Sequence, residues 1–274
     1  MRRVLVPLDG TDFAASVLPD AQRLAGRDGT LILVHVATEH EQLDGEDYLT
    51  TLSAELRREG IAVEDHALRG VDAASTVDAA AGRYAADAIA IATHALSAAE
   101  RWRHGSIAWR AMIRSTVPIL FRHVGPDAAL LPQPERRRLL VPLDGSPLAE
   151  LAVPLGASLA AEWSAPLTLA HVLTRAAPPS ASDGRAEAER YLRSVATAAS
   201  APAEVEVRTG PVVDQLAALV AERSITDVVM TSLGRTAARE VIIGAVAGEL
   251  IHRLRCPILV LPPLLVLEST SAAG

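Results

Sequence analysis

Short apolar runs alternate with amphipathic stretches along the whole chain, in the same order in both halves. Apolar runs of about four to eight residues between turn residues are typical of buried strands, and apolar positions three or four residues apart are typical of helices. In the first half the pattern predicts strands over residues 3–8, 30–36, 61–68, 88–93 and 117–122. It predicts helices over residues 11–25, 47–59, 72–85 and 106–114.

The second half repeats this order. Strands are predicted over residues 139–143, 167–172, 204–208, 227–231 and 258–261. Helices are predicted over residues 147–161, 185–198, 212–222 and 245–254. The remaining stretches are predicted as a proline-rich linker over 124–135, a flexible loop over 176–183 and a frayed tail over 264–274.

Strands that alternate with helices pair in parallel through right-handed crossovers. The sequence therefore predicts an α/β fold of two repeated doubly wound domains, each a five-stranded parallel sheet with helices on both faces, in a Rossmann-like arrangement. The predicted domains cover residues 1–124 and 137–263 of the 274 residues. In such sheets a ligand binds outside the carboxyl ends of the strands, where the strand order reverses.

A repeated motif follows the first strand of each half. The run Val-Pro-Leu-Asp-Gly-Thr ends at Thr11, and Val-Pro-Leu-Asp-Gly-Ser ends at Ser146, so Asp9 and Asp144 are 135 residues apart. Each aspartate is predicted to lie at the carboxyl end of a buried strand. Two interpretations stay open at this point: the carboxylate binds an amino group of a ligand, or it caps the following helix.

The loop after the fourth strand carries a second motif. In the first half, Ala92-Thr93-His94-Ala95 is followed after nine residues by Gly105-Ser106. In the second half, Thr231-Ser232-Leu233-Gly234 is followed after nine residues by Gly244-Ala245. Both loops precede a predicted helix, whose first backbone N–H groups favour an anion. Glycine also lets a phosphate approach the backbone closely.

These motifs resemble the universal stress protein family in its tandem two-domain form, and the strand ends His35-Val36 and His171-Val172 add to the resemblance. The resemblance implies an adenine nucleotide alpha hydrolase-like fold and ATP, with Mg²⁺ if bound, as the cofactor. It further implies that the two aspartates hydrogen-bond adenine, that backbone at Val36 and Val172 lines the base pocket, and that the loops hold ribose and phosphates. The implied ligand-binding residues are Asp9, Val36, Ala92, Ala95, Gly105, Ser106, Asp144, Val172, Thr231, Gly234, Gly244 and Ala245.

Neither loop matches in full the pattern of the ATP-binding branch, which is Gly-x-x-Gly, nine residues, then Gly-Ser or Gly-Thr. The first half has Ala92 and Ala95 at the first two glycine positions, and the second half has Thr231 at the first glycine and Ala245 at the hydroxyl. An alanine forced to positive φ costs about 1 kcal/mol, and a lost hydroxyl contact to phosphate removes about 1.5–3 kcal/mol. Both sites are therefore expected to be degenerate, and the second ranks above the first.

Several other polar residues have a structural and a functional interpretation, and the structural one is favoured for each. His35 and His171 are either partly buried histidines with satisfied hydrogen bonds or catalytic bases. His94, the residues 101–104, Arg235 and Arg239 either lie on the surface or contact a ligand. Cys256 precedes a proline and an apolar strand, which predicts a buried, unreactive thiol.

Composition narrows the function classes. A net charge of −7 argues against nucleic-acid binding, and the single cysteine fits a reducing cytosol because no intrachain disulfide can form. The longest apolar stretch, residues 256–267, is too short to span a membrane, and no secretory signal pattern opens the chain, so a cytoplasmic protein is predicted. No phosphate-binding P-loop, nucleophile elbow or metal-spaced Cys/His cluster occurs, so at most weak ATP hydrolysis is expected.

Two functions from different classes follow. The first is a stress-response protein regulated by an adenine nucleotide or by an unidentified protein partner. The alternative is a nucleotide-free interaction module, formed as an internal pseudo-dimer in which residues 117–122 pair with residues 258–261 and hide two apolar edges. A further homodimer of the whole chain is compatible with both.

Overall fold

The computed structural model describes residues 1–37, 45–93, 115–124, 136–174, 181–234 and 244–265. The chain divides into two compact units, Met1–Leu131 and Pro132–Gly274. The predicted α/β class with parallel sheets is confirmed in each unit. The predicted helix over 106–114 and the linker after Val124 lie outside the described residues.

The first unit contains a five-stranded parallel sheet in the order β3-β2-β1-β4-β5. Its strands are β1 (Arg3–Leu8), β2 (Thr30–Ala37), β3 (Ala62–Arg69), β4 (Ala88–Thr93) and β5 (Ile119–His123). Its described helices are α1 (Asp12–Ala15), α2 (Leu18–Ala25), α3 (Gly45–Arg58) and α4 (Ala73–Arg83). The strand order reverses between β1 and β4, so the carboxyl ends of β1 and β4 border the crevice that such folds use for ligands.

The second unit repeats this order as β10-β9-β6-β7-β8, again with parallel pairing throughout. Its strands are β6 (Leu139–Leu143), β7 (Leu167–Leu173), β8 (Ala203–Thr209), β9 (Asp227–Thr231) and β10 (Ile258–Leu261). Its described helices are α5 (Pro147–Glu150), α6 (Ala152–Glu162), α7 (Ala181–Ala198), α8 (Val212–Glu222) and α9 (Ala245–Arg253). The reversal now lies between β6 and β9.

Prolines divide the first helix of each unit, which the sequence predicted as continuous. Pro19 lies in the first turn of α2, and Pro154 is the third residue of α6. A proline is tolerated in a first turn, where its missing N–H would have no intrahelical acceptor, but not in a helix interior. A new helix therefore starts just before each proline. The prediction of single helices over 11–25 and 147–161 was wrong for this reason.

Helix α7 begins at Ala181, so residues 181–183 are helical and not part of a loop as predicted. Gly184 lies inside this helix, where glycine costs about 1 kcal/mol relative to alanine without ending the helix. Residues 176–180 of the predicted loop and 266–274 of the predicted tail lie outside the described part of the chain.

The core of each unit is aliphatic, as the low aromatic content indicates. All six residues of β4 and all five of β9 are buried, which is typical of central strands covered by helices on both faces. Gly156 lets α6 approach its sheet closely, because a Cβ there would lie 2.6 Å from Cγ2 of Val141. Tight helix-to-sheet contacts of this kind suit a core built mostly from alanine, valine, leucine and isoleucine.

Side chains on one edge strand of each sheet, β3 in the first unit and β8 in the second, form ion pairs. On β3, Glu64 accepts two hydrogen bonds from the Arg3 guanidinium, at 2.9 and 2.8 Å, and the pKa of Glu64 is lowered chiefly by this contact. On β8, Arg208 lies 2.8 Å from Glu206 and 2.7 Å from Glu222. Charged side chains on an outer strand oppose edge-to-edge aggregation. Among the helices that the structure describes, none is long and apolar enough to cross a membrane.

A buried ion pair connects α2 to β5 in the first unit. Asp20 is 2% exposed, and its carboxylate lies 3.2 Å from Arg122 on β5 and 3.3 Å from Arg23. The equivalent positions of the second unit, counted from the matching prolines and last strands, hold Leu155 and Leu261. At these two positions the first unit therefore carries charged side chains and the second carries aliphatic ones.

We expect Asp20→Leu alone to lower the free energy of unfolding by about 3–5 kcal/mol, because it leaves the Arg122 cation buried against an apolar side chain. The double variant Asp20→Leu/Arg122→Leu copies the second unit and should recover most of this loss. Urea denaturation measures both. The exposed pair Arg2–Asp28 provides a control, since Asp28→Asn should change stability by less than about 0.5 kcal/mol. A double variant as unstable as the single one would contradict this account.

Candidate functional site

A cavity of about 390 Å³ lies at the carboxyl edge of the sheet in the second unit. Its walls come from the ends of β6, β7 and β9 and from the beginnings of α8 and α9. All six residues implied for the second half line it, namely Asp144, Val172, Thr231, Gly234, Gly244 and Ala245. The structure therefore brings together segments that are up to about a hundred residues apart in the sequence.

Asp144 enters the cavity from a sharp turn after β6. Gly145 has a φ of 85°, which favours glycine, and Asp144 Oδ1 accepts a hydrogen bond of 2.9 Å from the backbone N–H of Ser146. The N-cap of α5 is Ser146, whose Oγ accepts from the N–H of Ala149 at 3.2 Å. The interpretation of Asp144 as the helix cap was therefore wrong.

The first unit builds the same turn. Gly10 has a φ of 84°, Asp9 Oδ1 accepts from the N–H of Thr11 at 3.0 Å, and Thr11 caps α1 through its contact with Ala14. Asp9 is likewise not the helix cap. Both Asp-Gly turns thus hold a carboxylate at the strand end and leave capping to the hydroxyl residue two positions later.

Gly234 and Gly244 are needed for space and not for positive φ. Neither is among the described residues with positive φ. A Cβ at Gly234 would collide with Oδ2 of Asp144, so glycine lets the loop pass directly beside the carboxylate. Gly244 donates its N–H to the carbonyl of Ser232 at 2.8 Å, and a Cβ there would lie 3.3 Å from the same oxygen. This hydrogen bond joins the two ends of the loop.

The N-terminus of α9 forms one wall of the cavity. Gly244 is the N-cap and supplies no side-chain hydrogen bond, and the first intrahelical bond of this turn runs from Gly248 N–H to the carbonyl of Gly244. The backbone N–H groups of residues 245–247 therefore have no intrahelical acceptor, and all three residues line the cavity. This wall carries the positive end of the helix dipole but no hydroxyl, because residue 245 is alanine.

Most of the lining is aliphatic, and the polar side chains are few. Those of the described lining are Asp144, His171, Thr174, Thr231 and Ser232. Thr231 Oγ1 donates to the carbonyl of Leu233 at 2.6 Å, which fixes the beginning of the loop. Ser232 is 1% exposed, and its Oγ has no hydrogen-bond partner among the described residues. An apolar cavity with a few oriented polar groups is typical of small-molecule sites.

Sequence reasoning did not include Val212, Leu216, Met230 or Val246 in the site, although all four line the cavity. Val212 begins α8 directly after β8, so its place at a carboxyl strand end was a signal that could have indicated it. Leu216 and Met230 carry no such signal, because their apolar periodicity is also that of core residues.

Of the corresponding residues in the first unit that the structure describes, only the aspartate is more open to solvent, since Asp144 is half-buried. Asp9 is exposed, Val36 is half-buried, and Ala92 is 8% exposed at the end of β4. Ala92 has no positive φ, so the strain expected for alanine does not arise there. Ala95, Gly105 and Ser106 lie outside the described residues, as do His94, residues 101–104, Arg235 and Arg239.

Tyr48 on α3 lies close to the acidic turn of the first unit. Its pKa is raised by burial first and then by the negative charges of Asp9 and Asp12. Two carboxylates of the first unit, Asp9 and Asp12, therefore lie near enough to Tyr48 to disfavour its anionic form.

Two further expectations concern metals and thiols. In the described parts of the chain, no group of three or more His, Cys, Asp or Glu side chains could hold a metal ion. Cys256 is half-buried, so the prediction of a buried thiol was only partly right.

The fold defines a tandem α/β protein whose two units share one architecture. The family model of the universal stress proteins matches the chain twice, over residues 1–121 and 135–262. The chain belongs to the universal stress protein family, which confirms the resemblance drawn from the sequence. No curated protein matches the chain.

Solved structures show the same fold over the full length. A candidate universal stress protein from Pseudomonas aeruginosa UCBPP-PA14 has a TM-score of 0.73 at 18% identity, covering 100% of this chain and 98% of that chain. A protein of unknown function from Pseudomonas aeruginosa PAO1 has a TM-score of 0.72 at 17% identity, with the same coverage. A universal stress protein from Archaeoglobus fulgidus has a TM-score of 0.66 at 19% identity, covering 95% of this chain and 96% of that chain.

We expect Thr231→Val to lower the free energy of unfolding by about 1–3 kcal/mol, because valine has the same shape but leaves the Leu233 carbonyl without its buried donor. Thr231→Ser keeps the hydroxyl and should be less destabilising than the valine variant. Urea denaturation of the two variants side by side measures the difference. Equal stability of both would show that the hydroxyl contact contributes nothing.

Proposed function

We propose that the second unit binds an adenine nucleotide and that the chain acts as a cytoplasmic regulator in the stress response, through this ligand or through a protein partner. The observation that supports this proposal is the cavity in which Asp144, Val172, Thr231, Gly234, Gly244 and Ala245 lie together. The resemblance to the ATP-binding branch of the family implies the same six residues.

The residues of the cavity fit such a ligand. Aliphatic walls suit the faces of a purine, and the Asp144 carboxylate is an acceptor for an amino group. The N–H groups at the beginning of α9 suit a phosphate oxygen, and the bare Cα of Gly234 keeps the loop beside Asp144 free of a side chain. Mg²⁺ would enter with the phosphates of ATP, since Mg²⁺ is usually bound by substrate phosphates and one or two carboxylates.

The affinity should be modest. Micromolar binding corresponds to about 8 kcal/mol, and the missing hydroxyl at Ala245 removes about 1.5–3 kcal/mol of it. We therefore expect dissociation constants of about tens to hundreds of micromolar. At such an affinity the fraction of occupied sites changes with the cellular concentration of the ligand, which suits regulation better than permanent occupancy. The internal pairing of the two units and a further homodimer stay predictions.

Asp144→Ala should weaken binding of ATP by about tenfold or more, because the buried base loses its acceptor. Isothermal titration calorimetry with and without Mg²⁺ measures the change. Asp9→Ala is the matched substitution in the first unit and should have the smaller effect, since Asp9 is exposed. If the Asp9 variant loses more affinity than the Asp144 variant, the ligand belongs to the first unit. If the unmodified chain binds no adenine nucleotide, the nucleotide-free interaction module is favoured.

Ala245→Ser should strengthen ATP binding by about tenfold, because it adds a hydroxyl to the helix terminus at which a phosphate would lie. Gly248→Ser, on the same helix but outside the cavity lining, is the control for adding a hydroxyl to α9 and should leave the affinity nearly unchanged. Calorimetry on both variants compares the gains. An unchanged affinity in the Ala245 variant would count against a phosphate at this helix terminus.

A further inference from the structure

The imidazole ring of His171 is held in one orientation at the wall of the cavity. Its Nδ1 atom lies 2.8 Å from the carbonyl oxygen of Leu143, at the end of the neighbouring strand β6. A carbonyl oxygen only accepts hydrogen bonds, so Nδ1 must carry the hydrogen. In the neutral ring Nε2 then holds a lone pair and is a hydrogen-bond acceptor.

The Nε2 atom of His171 remains accessible. His171 makes one hydrogen bond in the described part of the chain, through Nδ1, and its Nε2 atom is not fully buried. Tyr191 approaches the ring at its edge, with ring centroids 6.1 Å apart and planes at 75°, and donates its own hydroxyl to Glu150 at 3.0 Å. Because His171 lines the cavity, its acceptor atom is available to a ligand there.

The equivalent histidine of the first unit differs in this respect. His35 Nδ1 lies 3.0 Å from the carbonyl of Leu8, so the ring is anchored in the same way. Gly45 at the start of α3 packs directly on this ring, where an added Cβ would lie 2.5 Å from Nε2. Of these two anchored histidines, His171 lines a cavity and His35 has a helix packed on its ring.

We propose that His171 determines the ligand specificity of the second unit, by accepting at Nε2 a hydrogen bond from the exocyclic amine of adenine. This inference rests on the proposed function. The Asp144 carboxylate also only accepts hydrogen bonds, so both of these side chains suit a donor such as an amine. A base with a carbonyl oxygen in place of the amine would leave the acceptors unpaired, and such sites reject the mismatched analogue strongly.

The test compares AMP with IMP, which carries a carbonyl oxygen in place of the amine, by calorimetry on the full chain. His171→Asn retains an amide donor near the position of Nδ1 and deletes the acceptor at Nε2, so the bond to Leu143 can persist. We expect this variant to bind AMP about tenfold more weakly and to lose most of the preference for AMP over IMP. His35→Asn is the matched control and should keep that preference.

His171→Gln separates ligand recognition from folding, because glutamine keeps an acceptor near the position of Nε2 and loses the anchor to Leu143. It should be less stable in urea than the asparagine variant but retain more of the AMP preference. The specificity role is overturned if the variant that is less stable in urea also shows the smaller preference for AMP over IMP. It is also overturned if His171→Asn weakens the binding of AMP and IMP equally. If the unmodified chain binds ATP but does not prefer AMP to IMP, the role of His171 fails while the proposed function stands. If it binds no adenine nucleotide, both fail.

Discussion

Parallel pairing of buried aliphatic strands is the constraint on which the rest of this structure depends. It directs the carboxyl ends of all five strands of a unit to one edge of the sheet, and it places the strand-order reversal beside β1 in one unit and beside β6 in the other. The Asp-Gly turns gain their position from this geometry, because each follows the strand at the reversal. Without parallel pairing, the segments that contain Asp144 and Gly234 would not be brought together.

The two units show how a duplicated fold can diverge while its backbone stays the same. The aspartate turns, the anchored histidines and the proline-divided first helices occur in both. What differs is the environment at the carboxyl edge. In the first unit α3 packs on His35, and Asp9 and Asp12 lie near Tyr48, whereas in the second unit an apolar cavity lies in front of the helix terminus of α9.

Much of the fold could be predicted from the sequence, because strand periodicity and the repeated Asp-Gly motif are local signals. The strands β6 and β9 and the helix α8 have the predicted bounds. The sequence could not show that Pro19 and Pro154 start new helices, since a proline is equally compatible with an earlier helix end. It also could not show why Gly234 is glycine, because that reason is the distance to Asp144, a residue ninety positions away. Likewise, the accessible Nε2 of His171 depends on where α7 packs, which no local pattern determines.

The buried ion pair between Asp20 and Arg122 has a consequence for how such a chain assembles. Two homologous halves in one polypeptide risk exchanging equivalent segments during folding, a known failure of multidomain proteins. If α2 docked against β10, Asp20 would face Leu261, and if α6 docked against β5, Arg122 would face Leu155. Each exchange would leave a charge buried in an apolar environment, at a cost of several kcal/mol. The divergence at this one contact therefore disfavours pairing between equivalent segments of different halves.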